Sequence, residues 1–230
     1  MKRPYVICHM VTSIDGLVTG DFLFNDACLN ATELYYKINR ELKADGFACG
    51  RITMEGSFTG GYYPDLTDCE PCSSKEDFIS PYKNGFYAVS FDRQGRLGWK
   101  SCEISDDDPG YGGAHIIEVL SSVQDTRYLT YLRKIGVSYI FADTVSCALE
   151  KLRSLFGIST LLLEGGSIIN GAFLAEGLID ELSLVVAPLL GSRDGKPLFF
   201  GSDAVEFKLI ESKPVNSSLW LRYKKIISEE

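Results

Sequence analysis

One segment of the sequence combines residue types that can bind a phosphate. Glu164-Gly165-Gly166-Ser167-Ile168 follows the apolar run 160–163 and precedes a helix-like pattern. Glycines let a backbone approach a phosphate closely, and the start of a helix attracts negative charge. The segment predicts a pyrophosphate cradle, although a strand-to-helix turn without a ligand explains the pattern about as well. It does not have the G-x-G-x-x-G spacing of the dinucleotide fingerprint.

Two further segments carry donors for an anion. Gly50-Arg51-Ile52-Thr53 follows a short apolar stretch, and Ser90-Phe91-Asp92-Arg93 closes another. Arginine offers a forked donor for phosphate, and threonine and the backbone N–H groups add more. For the first of these two segments, the alternative is an arginine exposed on a loop. Because ligands bind at the carboxyl ends of parallel strands, we expect all three segments to converge on one ligand that carries several phosphates.

A carboxylate follows the first apolar segment, in Ser13-Ile14-Asp15-Gly16. At the end of a strand, Asp15 can relay a proton or hold a polar heterocycle. The alternative is an ordinary Asp-Gly turn. The sequence has only two histidines, His9 and His115, and they are too isolated to predict a catalytic pair.

The elements that must position these residues alternate between strand and helix patterns. Asn30 with Glu33 resembles the start of a helix that runs to residue 42, and residues 56–85 and 101–113 have the composition of loops. This alternation predicts an α/β fold with a mostly parallel sheet, made mixed by a terminal antiparallel pair, in a single domain over residues 1–230. The strands are expected at 5–12, 46–50, 86–91, 115–120, 139–142, 160–163, 182–187, 205–210 and 219–227, and later helices at 126–136, 147–156 and 168–176.

Composition narrows the class of protein. The chain has 230 residues and a formal net charge of −8, which disfavours binding to nucleic acid or to anionic membranes. No apolar run approaches the length of a membrane-spanning helix. Seven cysteines are an odd number, and the pair Cys69 and Cys72 has no second pair to complete a zinc site. We therefore expect a cytoplasmic protein without a structural metal.

These motifs, taken in order, resemble the reductase domain of riboflavin biosynthesis. The resemblance is carried by residues 13–16, 50–53, 89–92 and 164–166, and most specifically by Asn170-Gly171-Ala172-Phe173-Leu174, by 177–182 and by Ala187-Pro188. The Gly-Arg-x-Thr segment is also similar to the cofactor loop of dihydrofolate reductases, which share the fold. The resemblance covers nearly the whole chain and is weakest over 56–80 and 98–114.

The resemblance implies a dihydrofolate-reductase-like α/β/α sandwich, an NADPH site and a homodimer. It implies an oxidoreductase that transfers a hydride to a small heterocycle, carbonyl or imine, such as 5-amino-6-(5-phosphoribosylamino)uracil. The largely apolar run Leu182–Leu190 is expected at or near the subunit contact. Asp15 would be catalytic and would face the substrate with Leu66 and Glu164. The residues implied to bind the cofactor are Val11, Ser13, Gly50, Arg51, Thr53, Ser90, Arg93, Gly165, Gly166, Ser167 and Ile168.

One departure concerns the substrate. In the family, an arginine that binds the ribose phosphate of the substrate follows the cofactor loop, whereas this chain has Pro64-Asp65-Leu66-Thr67 followed by Asp68. Acidic residues repel a phosphate. The resemblance therefore supports the fold and the cofactor more strongly than it supports the substrate. Two alternatives stay open: an enzyme of the dihydrofolate reductase type, and a nucleotide-binding protein without catalysis.

Overall fold

The computed structural model describes residues 2–74, 76–82, 84–201 and 203–226. They form two compact units. Unit 1 comprises Met1–Pro4 and Asp45–Leu161, and unit 2 comprises Tyr5–Ala44 and Leu162–Glu230. The single domain expected from the sequence stays a prediction. In chain order the elements are β1 (Tyr5–Thr12), α1 (Asp26–Leu42), β2 (Gly46–Gly50), α2 (Arg51–Met54), β3 (Tyr87–Phe91), β4 (His115–Leu120), α3 (Arg127–Ile135), β5 (Ser138–Phe141), α4 (Val145–Phe156), β6 (Thr160–Leu163), α5 (Ser167–Ala175), β7 (Glu181–Val186), β8 (Phe207–Val215) and β9 (Ser218–Lys225).

Unit 1 contains four parallel strands in the order β5-β4-β3-β2. All six residues of β4 are buried, including His115 and Glu118. Strands covered on both faces read as continuous apolar runs, which is why a charged residue inside β4 stands out. The carboxyl ends of β2 and β3 carry Gly50 and Phe91, which are paired in register.

Unit 2 contains β1, β7, β8 and β9, with the end of β6 beside β1. β1 and β7 are parallel, whereas β9 is antiparallel to both β7 and β8. The mixed sheet expected from the sequence is therefore present. α1 packs its buried Cys28, Ala31 and Ile38 against Val185 and Ala187 at the end of β7.

Two helix starts differ from the sequence-based expectations by two or more residues, and one loop also differs. α1 begins at Asp26, before the expected Asn30, because the side chain of Asn25 already accepts a hydrogen bond from the N–H of Ala27. α4 likewise begins at Val145, where Thr144 caps the N–H of Cys147. Residues 56–59 belong to a π-helical turn over Glu55–Thr59 that continues α2, so the loop expected from residue 56 starts later.

The terminal hairpin is longer than its periodicity indicates. β8 runs to Val215 instead of ending at residue 210, with a bulge between Leu209 and Glu211. Most β8 side chains are exposed, as in an edge strand, so the apolar alternation that marks a buried strand is absent from its second half. Among the described residues, no helix is both long and apolar enough to cross a membrane.

Candidate functional site

In unit 1, the first candidate segment is the start of α2. Gly50 ends β2 and occupies the N-cap position in an extended conformation, with no side chain capping the helix. Arg51 is the first helical residue, and its Nη1 lies 2.6 Å from Glu55 Oε2. Thr53, in the same turn, is half-buried. This start offers backbone N–H groups and a guanidinium on a single turn of helix.

The second segment of unit 1 follows β3, where neighbouring side chains differ in exposure. Ser90 is fully buried, whereas Arg93 is exposed and donates from Nε to Ser121 Oγ at 3.1 Å. Of these two residues, which the resemblance implies to bind the cofactor, Arg93 is the one whose side chain reaches the surface. The role of Ser90 stays a prediction, and its hydroxyl is directed into the core.

Asp92 organises this segment, which the sequence analysis did not anticipate. Its buried carboxylate accepts hydrogen bonds from the backbone N–H groups of Arg96 and Leu97, the latter at 2.8 Å. Burial raises the pKa of Asp92, while those N–H groups and the charge of Arg51 oppose the shift. Asp92 thus holds the turn that presents Arg93 and lies within electrostatic reach of Arg51. An Asp-x-x-Gly turn was the available signal.

Leu66, the third candidate of unit 1, is buried, and its carbonyl accepts a hydrogen bond from the N–H of Cys69. Beside it, Asp65 accepts hydrogen bonds from the hydroxyl and the N–H of Thr67, at 2.6 and 2.9 Å. Both bonds lower the pKa of Asp65, so it is ionised at neutral pH. The segment that takes the place of the family's arginine therefore carries a negative charge.

In unit 2, the glycine turn after β6 is closely packed. Glu164 is buried, and its Oε1 accepts a hydrogen bond from Asn39 Nδ2 at 2.7 Å. Gly165 has φ +97°, and a Cβ there would lie 3.1 Å from Met10 Cε. The Gly165–Gly166 peptide bond is cis. The turn thus brings the backbone of Gly165 against the side chain of Met10 on β1.

α5 begins at Ser167 with Gly166 as its N-cap, again without a capping side chain. The hydroxyl of Ser167 is already used, because it donates to the carbonyl of Pro197 at 2.5 Å. What this helix start offers a ligand is therefore its backbone. Ile168, in the same turn, is 62% exposed, an unusual position for a large apolar side chain.

The end of β1 carries the candidates Val11, Ser13 and Asp15. Val11 is half-buried and Ser13 is buried, whereas Asp15 is exposed. Asp15 Oδ1 accepts hydrogen bonds from Ser13 Oγ at 2.6 Å and from the N–H of Gly191 at 2.8 Å. These bonds lower the pKa of Asp15, so its carboxylate stays ionised at neutral pH. The geometry favours an acceptor that orients a polar group over a donor of protons.

A segment missed by the sequence analysis joins the candidates of unit 2. We call residues 189–200 the strap. Its Gly191 binds Asp15, and its Leu198 N–H donates to the carbonyl of Gly16. At its other end the N–H of Phe200 donates to the carbonyl of Ser167. A Cβ at Gly171 would lie 2.0 Å from the Phe200 carbonyl oxygen, which explains the glycine there.

The helix starts allow a test of whether the residues suit a dinucleotide. α1 and α4 are capped by the side chains of Asn25 and Thr144. The N-cap residue of α3, Thr126, makes no side-chain cap, and Asp125 accepts a hydrogen bond from the N–H of Arg127 there. The starts of α2 and α5, which follow Gly50 and Gly166, have no side-chain cap. Uncapped N–H groups beside glycine are what a phosphate requires, so the residues fit the phosphates of a nicotinamide cofactor.

Comparison with known proteins first defines the class. The structure is similar to RibD of Acinetobacter baumannii, with a TM-score of 0.68 and 20% identity, over 97% of this chain and 58% of that one. It is similar to the deaminase/5-amino-6-(5-phosphoribosylamino)uracil reductase of Thermotoga maritima, with a TM-score of 0.64 and 19% identity, over 98% of this chain and 57% of that one. At these identities the fold is what is shared, and the expected dihydrofolate-reductase-like α/β fold is confirmed.

Sequence comparison then gives two partial matches. Residues 118–221 match the RibD C-terminal domain, which confirms the resemblance over that part of the chain. An 82-residue segment is 37% identical to the 2,5-diamino-6-ribosylamino-4(3H)-pyrimidinone 5′-phosphate reductase of Methanothermobacter thermautotrophicus, covering 33% of this chain and 38% of that protein. The chain thus covers less than two thirds of the length of each of these relatives.

Proposed function

We propose that this protein is an NADPH-dependent reductase of a ribosylaminopyrimidine phosphate in riboflavin biosynthesis. The reductases to which the chain is similar act, by their names, on a diaminopyrimidinone 5′-phosphate or on the corresponding uracil. The observation that carries the proposal is the pair of helices, α2 and α5, that start at glycine without a side-chain cap. Both follow strands at the motifs that the sequence analysis singled out.

Within each unit the proposal assigns its own residues to the cofactor. Backbone N–H groups at Gly165, Gly166 and the start of α5 hold the pyrophosphate, where the helix dipole adds to the attraction. The guanidinium groups of Arg51 and Arg93 bind the 2′-phosphate that distinguishes NADPH from NADH, because charge-assisted bonds to phosphate are the strong ones. The same proposal assigns Val11, Ser13, Gly50, Thr53, Ser90, Ser167 and Ile168 to the cofactor.

The cofactor supplies a hydride from C4 of its nicotinamide. The chain's own residues position the substrate: Asp15 accepts a hydrogen bond from an amino group of the pyrimidine, and Leu66 and Glu164 face the same substrate. Asn39 fixes the carboxylate of Glu164, and Ser13 fixes that of Asp15. Orientation of this kind accelerates the chemical step without tightening cofactor binding.

The phosphate of the substrate requires a cation that is not the family's arginine, because Asp65 and Asp68 occupy that neighbourhood. The strap offers Arg193 and Lys196, whose side chains are exposed. The strap binds Asp15 through Gly191, which puts both cations on the segment that also supports the proposed substrate residue. We therefore assign the ribose phosphate to the strap.

The test is a steady-state assay of NADPH oxidation with each of the two pyrimidine phosphates. The diaminopyrimidinone and the uracil differ at one exocyclic position, so the ratio of their kcat/KM values identifies the natural substrate. Dihydrofolate is the control substrate, and the expected result is turnover of one pyrimidine only. Tight NADPH binding without turnover of any compound would instead support the non-catalytic alternative.

A second copy of the chain is the proposed partner. On β7 and β9 the side chains of Leu184, Val186, Leu219 and Leu221 lie on the sheet face opposite α1, and all of them are half-buried or exposed. A face of this composition is typical of an obligate interface. Sedimentation equilibrium at micromolar concentration should give twice 25.5 kDa, and a monomer alone would contradict the proposal.

We place the protein in the cytoplasm, because its seven cysteines are free.

A further inference from the structure

Two carboxyl groups are buried side by side in unit 1, behind the proposed cofactor loop. Asp92 follows β3 and is 1% exposed, and Glu118 lies within β4 and is 0% exposed. Glu118 is paired in register with Ser90, two residues before Asp92. Two neighbouring carboxylates in a protein interior repel each other and have lost their hydration, so such pairs release their protons at very different pH values.

The side-chain donors that act on the Glu118 carboxyl are neutral, and they are Trp99 and Ser90. The indole N–H of Trp99 donates to Glu118 Oε1. The Ser90 hydroxyl, opposite Glu118 in register, also acts on this carboxyl, and Glu118 Oε2 has no other hydrogen-bond partner among the described residues. On the other side of Glu118, β5 brings Tyr139 into register, but the Tyr139 hydroxyl accepts from Arg133.

The surroundings of Asp92 differ in charge and in the kind of donor. Two backbone N–H groups, from Arg96 and Leu97, donate to its Oδ2, and the guanidinium of Arg51 acts on it electrostatically. Tyr128 of α3 completes the set of titratable groups, and its hydroxyl donates to the carbonyl of Leu97 at 2.8 Å. A negative charge is therefore compensated at Asp92 and uncompensated at Glu118.

We propose that Glu118 is a positioning residue that keeps its proton in the folded protein, so that Asp92 alone carries the charge and holds the turn that presents Arg93. Burial and then the charge of Asp92 raise the pKa of Glu118 well above its ordinary value, in agreement with this assignment. The turn is closely packed, since a Cβ at Gly95 would lie 2.5 Å from the ring of Tyr128. The link from this turn to a 2′-phosphate rests on the proposed function.

The first test compares Glu118→Gln with the wild-type protein by thermal unfolding between pH 4.5 and 8. An unfolded glutamate releases its proton near pH 4.5, whereas folded Glu118 retains it, so the contribution of Glu118 to stability falls as the pH rises above that value. Glutamine cannot titrate. The variant should match the wild-type Tm at pH 4.5 and exceed it by at least about 3 °C at pH 8.

Glu150→Gln is the matched control, because Glu150 is exposed on α4 and its substitution should not produce a pH-dependent difference. A Glu118→Gln variant that is less stable than the wild-type protein at pH 8 would overturn the proposal. A second measurement is independent of stability. The Trp99 indole N–H resonance should stay constant from pH 3.5 to 8, and a titration near pH 4.5 would show that Glu118 loses its proton there.

The last test connects the pair to the cofactor. Glu118→Gln should keep the ratio of NADPH to NADH affinity within about twofold, whereas Asp92→Ala should lower it about tenfold, because the turn loses its acceptor. Equal losses in both variants would overturn the positioning role. If the wild-type protein does not discriminate between the cofactors, the proposed function is wrong, while the Tm and indole measurements still decide whether Glu118 carries the proton.

Discussion

The two units offer an anion opposite kinds of chemistry. Unit 1 presents the side chains Arg51 and Arg93, backed by the buried Asp92. Unit 2 presents the backbone of Gly165 and Gly166 and the start of α5. A guanidinium can form an ion pair with a neighbouring carboxylate, as Arg51 does with Glu55. Binding by a backbone turn does not depend on side-chain charge, but it is disrupted by an added side chain that fills the turn. The units should therefore respond to different substitutions, which the following predictions use.

The largest effect is expected for Gly165→Ala in unit 2. The added Cβ meets Met10 at 3.1 Å, and the φ of +97° is one that alanine rarely adopts. NADPH affinity should fall at least about a hundredfold, measured by fluorescence titration. Gly157→Ala is the control, because it has φ +73° with nothing within 4 Å of a Cβ. Unchanged NADPH binding in Gly165→Ala would remove unit 2 from the cofactor site.

The two buried histidines allow the cores of the two units to be compared. His9 in unit 2 lies between Ser183 and the Tyr35 carbonyl, whereas His115 in unit 1 bonds Ser138 and its Nδ1 has no partner within the described residues. Burial lowers the pKa of each to about 4.

An unfolded histidine binds its proton near pH 6.5, so stability present above that value is lost as the pH falls toward 4. For His9 the loss should reach about 3 kcal/mol, measured by urea unfolding at pH 7 and pH 4.5. His9→Phe should reduce this dependence, and an unaltered dependence would contradict the assignment. His115→Phe is the matched variant in unit 1.

Asp15→Asn tests whether unit 2 also serves the substrate. The variant should lower kcat by roughly two orders of magnitude, because the amide is a weaker acceptor and Ser13 loses its charged partner. NADPH affinity should change little. Asp194→Asn, an exposed position on the strap, is the control. Full activity in Asp15→Asn would show that Asp15 has no catalytic role and only forms the turn.

Arg51→Ala is expected to have a smaller effect, confined to unit 1. It should weaken NADPH roughly tenfold to a hundredfold and NADH much less, because a charge-assisted bond contributes about 1.5–3 kcal/mol. Arg127→Ala is the control, since Arg127 pairs with Asp125 away from the motif. Equal losses for both cofactors would indicate that Arg51 contacts a phosphate they share.

The sequence predicts elements whose signals are local. β1, β2, β4 and β6 have the expected bounds, because an apolar run or a glycine marks each end. The start of α1 differs because Asn25 competes with Asn30 as a cap, and both residues fit the local pattern. Both residues are of a type that caps helices, and periodicity does not show which of them starts the helix.

Contacts between distant residues leave no comparable signal. The strap binds Asp15 across 176 residues of sequence, and its composition alone indicates a loop. Glu118 was detectable as a charge within an apolar strand, but its partner Trp99 lies in a segment without periodicity. The candidate site is therefore predictable as separate motifs, while the segments and buried groups that support it require the structure.

The strap has a consequence for how variants of this protein are interpreted. The same 12 residues bind the loop after β1 through Gly191 and Leu198 and the first turn of α5 through Phe200. An insertion or deletion within it must shift both attachments together, so cofactor affinity and substrate turnover will change in proportion across a series of strap variants. Such a series tests whether the strap behaves as one continuous backbone segment. Individual roles can be separated only by substitutions made at its two ends.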